Sequence, residues 1–221
     1  REGGGFACDN LEHAASQAVA LSRGQSPQEY APLYDHWQKR ARQAAEELNQ
    51  EQKYLLGLYT GGTLADEAIK LLHEKLGGIY SNIAFDEEHQ LEDPADQERH
   101  IILDLGDDQF TQGRPHPMID PYTRSERLER DTTKNTAVVL FDCVIGYGSH
   151  PDPAGEVAKA LMTLKEQGLH PVAIGSICGT EEDPQDLKAS QQVLEEAGAI
   201  ILPSNAKAVE FAGLVMGGIS Q

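Results

Sequence analysis

Five short apolar runs, YLLGLY (54–59), HIILDL (100–105), AVVLFD (137–142), PVAIGS (171–176) and AIILP (199–203), recur along most of the chain. They are apolar throughout rather than at every second residue. Such runs suit strands of a parallel sheet covered on both faces. Helical patterns fill the intervals at about 63–76, 120–131, 154–167, 185–197 and 204–216. Strand and helix in alternation predict an α/β fold, a doubly wound parallel sheet of flavodoxin-like architecture. A possible short strand lies at Ile79–Ile83, and the acidic stretch 84–99 lacks periodicity and suits a surface loop.

The first 52 residues have another texture. Residues 1–9 suit a flexible lead. Asp9 or Asn10 can cap a helix from Leu11 to Ser22, whose apolar face is Leu11, Ala14, Ala18 and Leu21, and Gly24 stops it. Ser26 and Pro27 then open a polar helix running to about Gln50, with a narrow stripe that includes Tyr30, Leu33, Trp37 and Leu48. The expected organisation is a helical arm or linker over 1–52, then one domain over 53–221.

Composition narrows the function classes. Eighteen Lys and Arg stand against 36 Asp and Glu, a net charge of −18. Such a surface argues against a nucleic-acid track, which depends on basic neutralisation of phosphates. A run of about 18 apolar residues would mark a membrane span, and none is present. Cys8, Cys143 and Cys178 form no CxxC pair and are expected to be reduced thiols in a cytoplasmic protein. Because the chain starts at Arg1 rather than Met, it is expected to be processed or cut from a longer one.

In open parallel sheets, ligands bind beyond the carboxyl ends of the strands. After the first run come Thr60, Gly61, Gly62 and Thr63, a glycine turn at a helix start that favours an anion, with Thr63 as a candidate N-cap and no Walker lysine. After the second come Gly106, Asp107, Asp108, Gly113, Arg114 and His116, the last between two prolines. Arg114 offers a fork of donors for phosphate or carboxylate. His116, stiffened by its neighbours, suits a preorganised site. Asp107, Asp108, His116 and Asp120 match no metal-ligand spacing, so no metal is expected. After the third come Asp142, Gly146, Tyr147, Gly148 and His150; after the fourth, Cys178, Gly179 and Thr180; after the fifth, Ser204 as an N-cap or loop donor. Cys143 is expected to be a buried core thiol. Glycine with a hydroxyl or Arg recurs in four of the five loops, which predicts one ligand site for a small anion or phosphorylated group.

The strings GLYTGGTLADEA (57–68), DLGDDQFTQGRPHPMIDP (104–121), VVLFDCVIGYGSHPDPA (138–154) and GTEEDPQ (179–185) closely resemble the FdrA family. Those proteins are acyl-CoA synthetase-like and related to succinyl-CoA synthetase; the likeness covers about 54–216. It implies the C-terminal, second ligase-like module of a longer protein. The N-terminal CoA-binding-like domains, on the same chain or on a partner subunit, would lie outside this sequence, as would the phosphohistidine of the succinyl-CoA synthetases. Coenzyme A would belong to the full enzyme, and a homo- or hetero-oligomer is possible. The resemblance also implies that Gly61, Gly62, Gly106, Arg114, His116, Gly146 and Gly148 hold phosphate, and links the family to carbamoyl transfer between oxalurate and phosphate in purine and allantoin catabolism.

Two functions compete on this basis. One is a catalytic module in which Arg114 and backbone N–H groups stabilise an acyl or carbamoyl phosphate while His116 orients substrate or moves a proton. The other is a non-catalytic assembly module that completes a partner's active site. A flavin-binding flavodoxin is a weaker third, because the loops offer few aromatics and no GxGxxG.

Overall fold

The computed structural model describes residues 5–91 and 98–219. Strands β1 (Tyr54–Tyr59), β2 (Ile101–Asp104), β3 (Thr136–Val144), β4 (Val172–Cys178) and β5 (Ile200–Leu202) form one parallel sheet in the order β2-β1-β3-β4-β5. All five predicted strands are present, and the order is that of a flavodoxin-like sheet. β2 lies on one side of β1, and β3, β4 and β5 follow on the other, which places the topological switch point between β1 and β3.

Helices cover both faces, as the continuous apolar runs require. On one face α3 (Gly62–Leu76) and α8 (Asn205–Ile219) bury Ile69, Leu72, Phe211 and Val215 against Leu55, Val138 and Ile174. On the other, α5 (Tyr122–Asp131), α6 (Pro153–Glu166) and α7 (Leu187–Glu196) bury Leu128, Val157, Leu161 and Leu194 against Leu58, Val139 and Phe141. Cys143 is fully buried, as expected, and burial pushes its thiol up to about 11. A single helical turn, α4 (Asp108–Thr111), sits in the loop after β2 and had no sequence signal.

The N-terminal segment departs from expectation in two ways. Helix α1 (Leu11–Ser22) has the predicted bounds and is capped by Asn10, yet it buries His13, Gln17 and Ala20 and leaves Leu11 and Leu21 exposed. Polar contacts decide this: Gln17 accepts from the Gln28 N–H at 3.0 Å, and His13 Nε2 lies 3.0 Å from the Gln28 carbonyl. The second helix, α2 (Asp35–Glu46), begins eight residues later than the sequence suggested. Pro27 and Pro32 disfavour helical backbone at Ser26 and Ala31. The stretch between is held extended on α8, where Glu210 accepts from Tyr30 OH at 3.1 Å and from the Leu33 N–H at 2.9 Å. Ala41 and Ala44 of α2 join the core under α8, and Trp37 meets Phe211 edge-on at 5.9 Å.

Ile79–Ile83 is not a strand. Tyr80 and Ser81 make isolated bridges, to Ile101 and Gln90, and Glu87–His89 forms one 3-10 turn. Part of the predicted loop 84–99 lies outside the described residues. Among the described residues no helix is long and apolar enough to cross a membrane.

Candidate functional site at the carboxyl edge of the sheet

The switch point is built on a buried carboxylate. Asp142 in β3 is inaccessible to solvent, and Arg124 of α5 is 1% exposed. Arg124 Nη1 lies 3.3 Å from Asp142 Oδ1 and also donates to the Asp142 carbonyl. From β1, the Thr60 N–H donates to Asp142 Oδ1 at 2.9 Å and the Thr60 hydroxyl to Oδ2 at 2.7 Å. Burial drives the Asp142 carboxyl up from its usual range, and the guanidinium and the Thr60 donors oppose that rise. Thr60, predicted as a ligand donor, thus spends both donors inside the protein and joins β1 to β3.

A second carboxyl sits one strand over. Asp104, the last residue of β2, is 8% exposed. Asn82 holds its backbone with two hydrogen bonds of 3.0 Å, and Asp104 Oδ1 accepts from the Gly106 N–H at 2.9 Å. Burial raises the Asp104 carboxyl; the Gly106 N–H pulls it back and Asp107 adds to the rise, with His116 a smaller lowering influence. A Cβ on Gly106 would lie 2.6 Å from His116 Nε2, 2.9 Å from the Thr60 carbonyl and 3.1 Å from Asp104 Oδ1. Imidazole, carbonyl and carboxylate therefore ring one point that only glycine leaves open. His116 Nδ1 accepts the Met118 N–H at 3.3 Å, which leaves Nε2 as the protonated nitrogen of the neutral ring, turned to that point.

Above this pair begins α3. Its N-cap is Gly61 rather than the predicted Thr63, and no side chain caps it. Thr63 lies within the first turn and is exposed. The amides of a helix's first turn have no partner within the helix. Side chains would crowd this end: a Cβ on Gly61 would stand 3.0 Å from Met118 Cε, and one on Gly62 3.0 Å from Asp104 Oδ2.

The remaining predicted residues fall around this centre. Arg114 projects from the β2–α5 loop to Glu126 of α5 at 3.1 Å, an exposed pair. Gly113, at φ +75°, shapes the turn before it in open space. Asp107 caps α4 through the Gln109 N–H at 2.9 Å. Tyr147 is almost fully exposed and Gly148 has open space beside it. Gly146 is held by Gln185, whose carboxamide accepts from the Gly146 N–H at 3.0 Å and donates to the carbonyls of Gly146 at 2.8 Å and His150 at 3.0 Å. The His150 N–H in turn donates to the Met118 carbonyl at 2.7 Å, joining this loop to the His116 loop. Gly179 is crowded by Ile145, and Thr180 is closed on itself, its N–H donating to Asp183 at 2.6 Å. Ser204 is the N-cap of α8, accepting from the Lys207 N–H at 3.2 Å.

Thr60, Gly61, Gly62, Gly106 and His116 thus meet in one place, whereas Arg114 and Thr180 are engaged with Glu126 and Asp183 and Tyr147 faces solvent. Asp104, Arg124, Asn82 and Gln185 were not singled out from sequence. Only Asp104 carried a signal, a lone acid at the end of an apolar run, like Asp142.

A five-stranded parallel sheet of this order, covered by helices on both faces, defines an α/β domain of the flavodoxin-like class. Residues 58–215, more than half of the chain, match the CoA-ligase family, and the chain belongs to that family. It is also 38% identical over 199 residues to a protein of Escherichia coli (strain K12) described as uncharacterized protein YahF. That alignment covers 88% of this chain and 38% of the relative, so the chain spans well under half of that relative's length.

Proposed function

We propose that this CoA-ligase module is the C-terminal part of an FdrA-like acyl- or carbamoyl-transferring enzyme, and that it binds phosphate or an acyl phosphate at the switch point. The observation that carries this reading is the uncapped, glycine-lined start of α3 set directly beside His116 and Asp104. The α3 amides favour an anion there. To contribute, Arg114 would have to leave Glu126, an exposed pair worth no more than about 1 kcal/mol. Coenzyme A fits this edge poorly: the loops that follow β2 and β4 carry Asp107, Asp108, Glu181 and Glu182, which oppose a large polyanion more than a small one held at α3.

In the oxamate carbamoyltransferase reading, a phosphate oxygen attacks the carbamoyl carbon of oxalurate. The new C–O bond forms as the C–N bond to the oxamate nitrogen breaks, giving carbamoyl phosphate and oxamate. The proton of hydrogen phosphate ends on the departing nitrogen. His116, whose Nε2 faces the Gly106 gap, orients the substrate while that proton passes from phosphate to the departing nitrogen.

The test is a calorimetric titration of phosphate, carbamoyl phosphate, oxamate and coenzyme A into the 221-residue chain, then turnover in the complete protein. Phosphate or carbamoyl phosphate binding that falls at least tenfold in Arg114→Ala and in Gly62→Ala supports the site. Turnover lost in His116→Ala with binding retained supports the orienting role. Absence of anion binding in both the chain and the complete protein overturns the reading.

A further inference from the structure

The geometry points to a divalent transition-metal site formed by His73, Asp86 and His89, remote from the switch point. His73 stands in the last turn of α3, and Asp86 and His89 frame the 3-10 turn that follows the β-bridges. One donor atom from each residue lies within 4.8 Å of the others. Zinc bonds to nitrogen or oxygen are about 2.0–2.1 Å, so tetrahedral ligands stand about 3.4 Å apart, and no pair here needs to close by more than about 1.4 Å. Asp86 is exposed, so its carboxylate can exchange a hydrogen bond to His89 for a bond to the metal. The histidine rings are already face to edge, with centroids 4.5 Å apart.

The backbone makes room for this arrangement. Gly78 has φ +123°, and a Cβ there would collide with His89 Nε2. Asp86 accepts from the His89 N–H at 2.9 Å and lies 2.7 Å from its Nδ1, so capping the turn accounts for those two residues. It does not account for His73. That ring takes the Ile79 N–H on Nδ1 at 3.4 Å, and its Nε2 has no hydrogen-bond partner among the described residues. Two neutral imidazoles and one carboxylate, with water completing the shell, are a donor set for zinc rather than magnesium. A dication is also welcome on a chain of net charge −18. Bound there, it would staple the end of α3 to the segment that carries Asn82, and through Asn82 to Asp104.

The test is a zinc titration of the tag-free, chelator-treated 221-residue chain near neutral pH, with magnesium as the comparison. One zinc per chain is expected, at about 1 µM or tighter. Zinc should also raise the unfolding midpoint of the wild type. His73→Ala and His89→Ala should each weaken binding at least tenfold, and His36→Ala, at an exposed site, should leave it unchanged. Should either variant fail to fold, X-ray absorption of the zinc-loaded wild type reads the ligands directly. Two imidazoles with oxygen support the site. Sulfur ligation, no saturable zinc, or equal affinity in folded His73→Ala and His89→Ala overturns it.

Discussion

Replacing Arg124 by Met tests whether the switch point is held by charge. The methionine keeps most of the buried stem, so the change isolates the guanidinium. At 3.3 Å from Asp142 Oδ1, and at an effective dielectric of about 20, the pair attracts by about 5 kcal/mol. Desolvation offsets much of that in the intact pair. Removing one partner of a buried pair, however, leaves the other charge stranded and costs about 3–5 kcal/mol. Thr60 still donates twice to Asp142, which favours the lower end. A loss of about 3 kcal/mol is a large share of a typical total of about 5–15 kcal/mol. In a chain of this size it lowers the melting temperature by roughly 6–12 °C. Urea unfolding measures it, with two controls. Adding Asp142→Asn to Arg124→Met should recover at least about 1 kcal/mol, because the carboxamide oxygen still accepts from Thr60 and carries no charge. The deficit should also shrink as pH falls, since the unpaired carboxyl has its pKa raised further and neutralises in the folded state. A loss under about 1 kcal/mol, or a double variant no better than the single, would refute the charge argument.

Gly106→Ala should lower stability by about 1–3 kcal/mol, since its Cβ displaces His116 and presses on the Thr60 carbonyl; urea midpoints and the His116 ring shifts in NMR check both effects. For Asp104 the folded pKa is raised, so its contribution is fully present below 3.8, the ordinary value, and is lost as pH rises through the folded value. Asp104→Asn should therefore gain on wild type between about pH 4 and 7 in urea midpoints, and a variant that loses ground over that range contradicts the burial argument. Gln185→Ala removes the clamp on Gly146 and His150 and should cost about 1–2 kcal/mol, with faster amide exchange over 146–150.

The strands were legible because burial on both faces writes itself as unbroken apolar runs; β3, with eight of nine residues buried, is the clearest. The glycines at 61, 62 and 106 were legible because close approach leaves a mark on residue type. Arg124 was not, since TRSERLERD has the look of a solvent-facing helix and only the tertiary fold brings Asp142 beneath it. Helix α1 was misjudged for a related reason. Its apolar spacing is genuine, yet the buried face is set by Gln28 and by Glu67, which accepts the Leu11 N–H at 2.7 Å, and these contacts come from distant sequence. Arg114 illustrates the converse, a residue type suited to anions whose resting partner is a local glutamate.

The commitment of Thr60 to Asp142 sets the depth of anything that lands on this edge. The first amide past β1 is already occupied by an anion, and that anion belongs to the protein. Asp142 holds the innermost berth, neutralised from below by Arg124, so a visitor takes the next berth out, at the level of Gly61 and Gly62. If an anion binds there as proposed, it would meet a floor whose charge is already balanced, and selectivity would fall to the more accessible layer of His116, Asp104 and the α3 amides.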